Sequence, residues 1–189
     1  MLGGKEHNIV ELVVHESLHA TVWVGSSVDF NEKLANFVGL EGSVLWMEKQ
    51  KGAEGVKMVR DEVAGEKVFA AFMQATVDRY KSTVKDLAAK EAFYKDLPAA
   101  YQRFVQERLK KEKFTPVAAR LEGWNNAALQ AYGNYYADMS VFEKLFNRCE
   151  GKLGRFVQWI KATQDRGERA FKDDPEKVLE GMAEGGSCP

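Results

Sequence analysis

Apolar residues recur every three to four positions along most of the chain, which is the spacing of one face of an α-helix. The pattern is clearest from Phe69 to Leu87, where apolar side chains follow one stripe and charged residues fill the opposite side. This stripe predicts a long amphipathic helix over residues 56–93. Gly52 and Gly55 interrupt the pattern just before it.

The same spacing predicts further helices, whose ends are set by glycine, proline and capping residues. They span residues 8–23, 30–50, 97–111, 125–137, 140–149, 153–165 and 175–183. Only 4 prolines, which break helices, occur in the chain, so the predicted fold class is all-α. A length of 189 residues suits one domain. We therefore assign residues 1–189 to a single domain, with residues 184–189 as a flexible tail.

Composition excludes several classes of protein. A hydrophobic fraction of 45% and a charged fraction of 29% are typical of soluble globular proteins. The net charge of −1 shows no basic excess, so nucleic acid is not a predicted partner. No apolar run approaches the roughly 18 residues that a membrane span needs. Cys149 and Cys188 give neither a disulfide framework nor a metal-binding pair, and Cys188 falls in the tail.

The N-terminal residues, MLGGKEHN, lack the charged and apolar regions of a signal peptide. A cytoplasmic, reducing location is therefore the default expectation. The sequence leaves open whether the chain forms an oligomer.

His15 and His19 lie four residues apart in the segment HESLH. In a helix this spacing is about one turn, so both imidazoles project from one face and can hold one ion. Glu16 is rotated by about 100° from His15 and can act on a metal-bound water as a general base. This arrangement is typical of a catalytic Zn²⁺ site.

A chance match on an exposed helix is the alternative interpretation of the motif. Two observations oppose it: two of the 3 histidines of the chain occupy HESLH, and apolar residues surround it. Such a setting predicts a buried helix, in which unpartnered histidines and a glutamate are costly. A metal ion supplies the missing partner.

A catalytic zinc normally has three protein ligands. Glu32 is the preferred third candidate, since a short connection can fold the two helices into a hairpin that brings it to His19. Ala35, one turn later, leaves room for a close approach. His7 lies two turns from His15 and is expected at the surface, and Glu41 is expected on the opposite side of its helix.

HESLH, followed by FNEKLA at residues 30–35, looks like the gluzincin pattern, in which a second motif, N-E-x-x-A, provides the third ligand. The run VELVVHESLHATVWVGSSVDFNEKLANFVGLEG resembles the bacterial predicted-aminopeptidase family. WNNAALQAYGNYY at residues 124–136 and the helix SVFEKLF at residues 140–146 also resemble that family. The resemblance extends from residue 9 to about residue 160 and implies a helical zincin-like domain built on an H-E-x-x-H helix hairpin.

The resemblance implies a zinc-dependent peptidase, an aminopeptidase acting on peptide substrates. His15, His19 and Glu32 become the zinc ligands and Glu16 the general base. The oxyanion needs a further donor, for which Tyr135 and Tyr136 are the candidates, with Tyr132 as a neighbour. Core packing is the competing interpretation of each of these tyrosines.

The motif begins only 15 residues from the first residue. We therefore expect a form that lacks most of the N-terminal segment of the family, including the strand along which such peptidases align a peptide. An alternative function follows: a zinc-binding but catalytically silent helical domain that acts as a binding or structural module. An export signal in family members implies an alternative location in the periplasm or envelope.

Overall fold

The computed structural model describes residues 5–25, 27–109 and 139–188. Within these ranges all regular structure is helical and no strand occurs, which confirms the predicted all-α class. The α-helices are α1 (Glu6–His19), α2 (Val28–Thr83), α3 (Leu87–Phe104), α4 (Ser140–Arg148), α5 (Leu153–Asp165), α6 (Arg169–Asp173) and α7 (Pro175–Gly185). A π-helical turn, Val105–Leu109, follows α3. None of the described helices combines the length and apolarity needed to cross a membrane.

The chain divides into two compact units. Unit 1 comprises Met1–Val56 and Asp138–Pro189, and unit 2 comprises Lys57–Ala137. Two such units can belong to one domain, so the single domain assigned to residues 1–189 stays a prediction.

The core of unit 1 is rich in phenylalanine. Phe30, in the first turn of α2, has its ring centroid 5.9 Å from those of both Phe142 on α4 and Phe171 on α6. Two turns later, Phe37 packs at 5.4 Å from Phe156 on α5. Burial of large aromatic side chains is the main source of stability in such a core. The first turns of α2 are therefore fixed on the C-terminal helices.

The break predicted near Gly52 is present. Gly52 has φ 62° and ψ −146° within α2, a conformation outside the helical region. Glycine adopts positive φ without the steric cost that a Cβ imposes. The boundary between the two units follows four residues later, after Val56.

The single helix predicted over residues 56–93 is wrong. Helix α2 ends at Thr83, and α3 begins at Leu87 because Asp86 caps it by accepting a hydrogen bond from Ala89 N at 2.8 Å. Pro98 lies inside α3 and does not start a helix. The sequence signal for this helix start was Asp86 itself. An aspartate before a helix can accept a hydrogen bond from the main-chain N–H three residues later and so mark where the helix begins.

Unit 2 has its own core, formed by the later part of α2 together with α3 and the π-helical turn. Phe69, Met73 and Leu109 are fully or almost fully buried there. The rings of Phe72 and Phe104 stack at 4.2 Å. The apolar stripe of the sequence therefore has its partner within the same unit.

The cysteine spacing predicted no disulfide, and this prediction is wrong. Cys149, directly after α4, is bonded to Cys188, with 5.1 Å between the two Cα atoms. Arg148 donates hydrogen bonds to the carbonyl oxygens of Glu184 and Gly186, and Arg155 donates one to the carbonyl of Cys188. The segment predicted as a flexible tail is thus held covalently and by three hydrogen bonds.

We expect Cys188→Ser to lower the unfolding midpoint of unit 1 markedly. The bond closes a loop with a sequence separation of 39 residues, for which the loss of unfolded-state entropy corresponds to about 4 kcal/mol. Thermal unfolding followed by circular dichroism, with and without a reducing agent, measures the effect. The matched control is Ser187→Ala, an exposed neighbour outside the bond. A wild-type midpoint that is insensitive to the reducing agent would contradict the prediction.

Candidate metal centre

Helices α1 and α2 approach each other closely at two glycines of α2. A Cβ atom added to Gly39 would lie 2.8 Å from the carbonyl oxygen of Glu11 and 3.3 Å from Cβ of His15. One added to Gly42 would lie 3.0 Å from Cγ1 of Val14. Contacts this short leave no room for a side chain. The two glycines therefore set the distance between the helices that carry the candidate ligands.

The connection between the two helices is closed by Asn31. Its Oδ1 accepts a hydrogen bond from Val24 N at 2.9 Å, and its Nδ2 donates one to Val24 O at 2.8 Å. Both residues are buried, with Asn31 at 2% and Val24 at 4% exposure. The amide thus supplies the acceptor for the buried Val24 N–H and a second donor, beside Ser27 N, to Val24 O.

Three candidate ligands converge where α1 ends and α2 begins. His15 Nε2 and His19 Nε2 are 3.1 Å apart, as expected for residues one helical turn apart. The carboxylate of Glu32 reaches both, with Oε2 at 3.5 Å from His15 Nε2 and Oε1 at 3.5 Å from His19 Nε2. Among the described histidine, cysteine, aspartate and glutamate residues, this is the one group of three that can hold a metal ion.

The spacing fits a tetrahedral metal site. In such a site with bonds of about 2.1 Å, neighbouring ligand atoms lie about 3.4 Å apart. The observed separations of 3.1 and 3.5 Å bracket that value. Without an ion, the two facing Nε2 atoms are compatible only if one carries a hydrogen and the other accepts it. A cation at this position would replace that hydrogen and satisfy both nitrogens and the carboxylate at once.

The centre is open to solvent on one side. The side chains of His15 and His19 are 15% and 19% exposed, whereas that of Glu32 is 49% exposed. The ring of Trp23 meets the His19 ring edge-on at 5.4 Å. The Nδ1 atom of His19 is buried and has no hydrogen-bond partner within the described ranges. The two imidazoles are thus largely covered by protein, with Trp23 against His19, while the Glu32 carboxylate is accessible to solvent.

Glu16 is exposed on α1, between the two histidines in sequence. It shares its helix face with the exposed apolar residues Ile9, Leu12 and Val13. The expectation that α1 is buried on most sides is therefore wrong, because only its opposite face, which includes Leu18, packs into unit 1. The Glu16 side chain is accordingly accessible to water.

The two rejected ligand candidates are both buried. His7 was expected at the surface, which is wrong, since it is 2% exposed on the core side of α1. Glu41 is 6% exposed, and neither residue belongs to the three-residue cluster. Helical position places His7 on the face of Val14 and Leu18, a signal that the sequence already contained.

The tyrosines predicted to stabilise an oxyanion, Tyr135 and Tyr136, lie outside the described residues, as does Tyr132. Their role stays a prediction.

Sequence reasoning missed Gly39, Gly42 and Asn31 as residues that shape the site. Asn31 was recognised only as the first residue of the N-E-x-x-A motif in FNEKLA, near a helix start, without a role of its own. The signal for the glycines was their spacing of three within FVGLEG, which places both on one side of a helix.

Fold and site together define a helical protein in which an H-E-x-x-H segment and the next helix bring two histidines and a glutamate together. Over residues 1–172 the chain matches the family described as "Putative aminopeptidase", and it belongs to that family. The aminopeptidase family expected from the sequence is confirmed at this level. No curated protein and no solved structure matches the chain.

We expect Gly39→Ala to destabilise unit 1 by about 1–3 kcal/mol, since an added methyl group meets a backbone oxygen that cannot move without shifting α1. Chemical denaturation measures the loss. Gly154→Ala on α5 is the matched control, because nothing lies within 4 Å of its added Cβ. That change should be neutral or stabilise by about 0.5–1 kcal/mol. Equal unfolding free energies for the two variants would show that the helices are not held at contact distance.

Proposed function

We propose that this protein binds one zinc ion through His15, His19 and Glu32 and hydrolyses peptide bonds as an aminopeptidase. The observation that carries the proposal is the convergence of two imidazole nitrogens, 3.1 Å apart, and the Glu32 carboxylate, whose two oxygens each lie 3.5 Å from one nitrogen, next to an H-E-x-x-H glutamate. Family membership supports the reaction class.

The ligand set favours zinc over other common ions. Two neutral imidazole nitrogens and one carboxylate suit Zn²⁺, whereas Mg²⁺ and Ca²⁺ prefer oxygen ligands. Three protein ligands with one open position are typical of catalytic zinc sites, and structural sites are closed by four. The exposed side of Glu32 provides that opening.

When bound, zinc would supply a water molecule of lowered pKa and a Lewis acid for the peptide carbonyl. Glu16 would accept the proton of the attacking water as the new C–O bond forms. The same carboxyl then gives that proton to the nitrogen of the leaving amine as the C–N bond breaks. His15, His19 and Glu32 hold their positions throughout. Tyr135 and Tyr136 remain the candidates for the oxyanion donor.

The disulfide supports the envelope alternative for the location of the protein. Disulfides persist in oxidising compartments and are rare in the cytosol. The Cys149–Cys188 bond is therefore easier to reconcile with a periplasmic or envelope location than with a cytoplasmic one.

Elemental analysis of the purified chain should give one zinc per molecule. His19→Ala and Glu32→Ala should each lose most of it, because either change leaves only two protein ligands. Glu48→Ala, an exposed glutamate on the same helix as Glu32, is the matched control and should retain the metal. Full zinc content in Glu32→Ala would exclude that residue as the third ligand.

Glu16→Gln should retain zinc and lose peptidase activity by about 10²–10⁴-fold, since the amide cannot accept a proton. Hydrolysis of amino-acid arylamides measures the rate. Glu6→Gln, also exposed on α1, is the control and should be as active as wild type. A wild-type protein that binds zinc but cleaves no peptide would favour a silent zinc-binding domain.

A further inference from the structure

We propose that Asn31 is a positioning residue that holds Glu32 at the two histidines and thereby sets the affinity of the metal centre. This inference rests on the proposed zinc site. It concerns a residue that touches no ligand atom and acts through the main chain.

The side chain of Asn31, at the start of α2, is hydrogen-bonded to the main chain of Val24 in the connection between α1 and α2. It accepts from Val24 N at 2.9 Å and donates to Val24 O at 2.8 Å. Its own main-chain N–H donates to Ser27 O at 3.1 Å, at the start of α2. Asn31 is therefore fixed at three polar atoms, while being only 2% exposed.

This fixation acts directly on Glu32. Successive helical residues point about 100° apart. When the Asn31 side chain points to Val24, the side chain of the next residue, Glu32, therefore points toward the two histidines. Twelve residues, 20–31, separate the ligands His19 and Glu32. A segment of this length has considerable conformational freedom, and ordering it before metal binding removes an entropic cost from the binding step.

Two other contacts tie the same region to the C-terminal helices. Trp23 N donates to Gln164 Oε1 at 3.0 Å, and Lys33 Nζ donates to Glu176 Oε1 at 2.8 Å. Both are partly exposed: Trp23 is 46% exposed and the side chain of Glu176 is 40% exposed. Exposed pairs contribute little because water and salt compete with them. Among the polar contacts of this region, the buried bonds of Asn31 therefore contribute the most.

The chemistry requires an asparagine. Only a side-chain amide of this length presents an acceptor to Val24 N–H and a donor to Val24 C=O at the same time. Leucine has a similar size but neither group, so Asn31→Leu leaves Val24 N–H buried without its acceptor, while Val24 O keeps only the hydrogen bond from Ser27 N. Asn31→Ala removes the same bonds and also the side-chain volume.

The test compares metal affinity in wild type, Asn31→Leu and Asn31→Ala by competition between the protein and a chelating dye for Zn²⁺. We expect both variants to bind zinc at least about 10-fold more weakly, the effect typical of losing a residue that supports a metal ligand. The visible absorption of the Co²⁺-loaded proteins should also change, because a displaced carboxylate alters the ligand geometry.

A loss of stability alone must be distinguished from a loss of positioning. Ile160→Val, in the core on α5 and 1% exposed, is the control, since it destabilises unit 1 while Asn31 and its hydrogen-bonding groups are retained. Equal weakening by Ile160→Val at an equal unfolding midpoint, or unchanged affinity in Asn31→Leu, would overturn the role of Asn31 and leave the zinc site intact. A wild-type chain that binds no Zn²⁺ would overturn the proposed function and this inference with it.

Discussion

The metal centre depends on how closely α1 and α2 pack. Gly39 allows the main chain of Glu11 and the Cβ of His15 to lie where a side chain would otherwise stand. The separation of the two histidines is set within one helix, but their distance to Glu32 is set between two helices. A change in helix spacing by the size of one methyl group would therefore move the carboxylate away from both nitrogens at once.

The C-terminal helices of unit 1 fix the position of the first turns of α2, where Glu32 lies. Phe30, one residue before the closing Asn31, packs its ring against Phe142 and Phe171. Helix α4, which carries Phe142, is followed directly by Cys149, and the disulfide bonds this residue to Cys188, after α7. The covalent bond thus stabilises the C-terminal helices against which the start of α2 packs, at a distance in sequence from the candidate metal ligands.

The residues brought together at the centre were accessible to sequence reasoning because their spacing is local. His15 and His19 follow from the helical period alone, while Glu32 needed both a connection length and a family resemblance. The disulfide did not follow, since a sequence separation of 39 residues does not show which ends of a fold meet. The exposed face of α1 was also missed. Apolar residues on most sides of a helix predict that it is buried, but no other described helix of unit 1 covers the face that carries Ile9, Leu12 and Val13, which are exposed. The break before Leu87 depends on one capping aspartate within a continuous amphipathic pattern.

The openness of the centre explains why main-chain positioning matters here. A deeply buried site can hold its ligands by packing around each side chain, but the Glu32 side chain is 49% exposed and has solvent on one side. Exposed charges are screened, so attraction between the carboxylate and the imidazoles cannot by itself hold the geometry. The order must come from the backbone beneath, through the glycine contact between the helices and the amide that closes their connection. These two constraints allow one side of the candidate centre to stay open to solvent while the two imidazoles and the carboxylate remain close together.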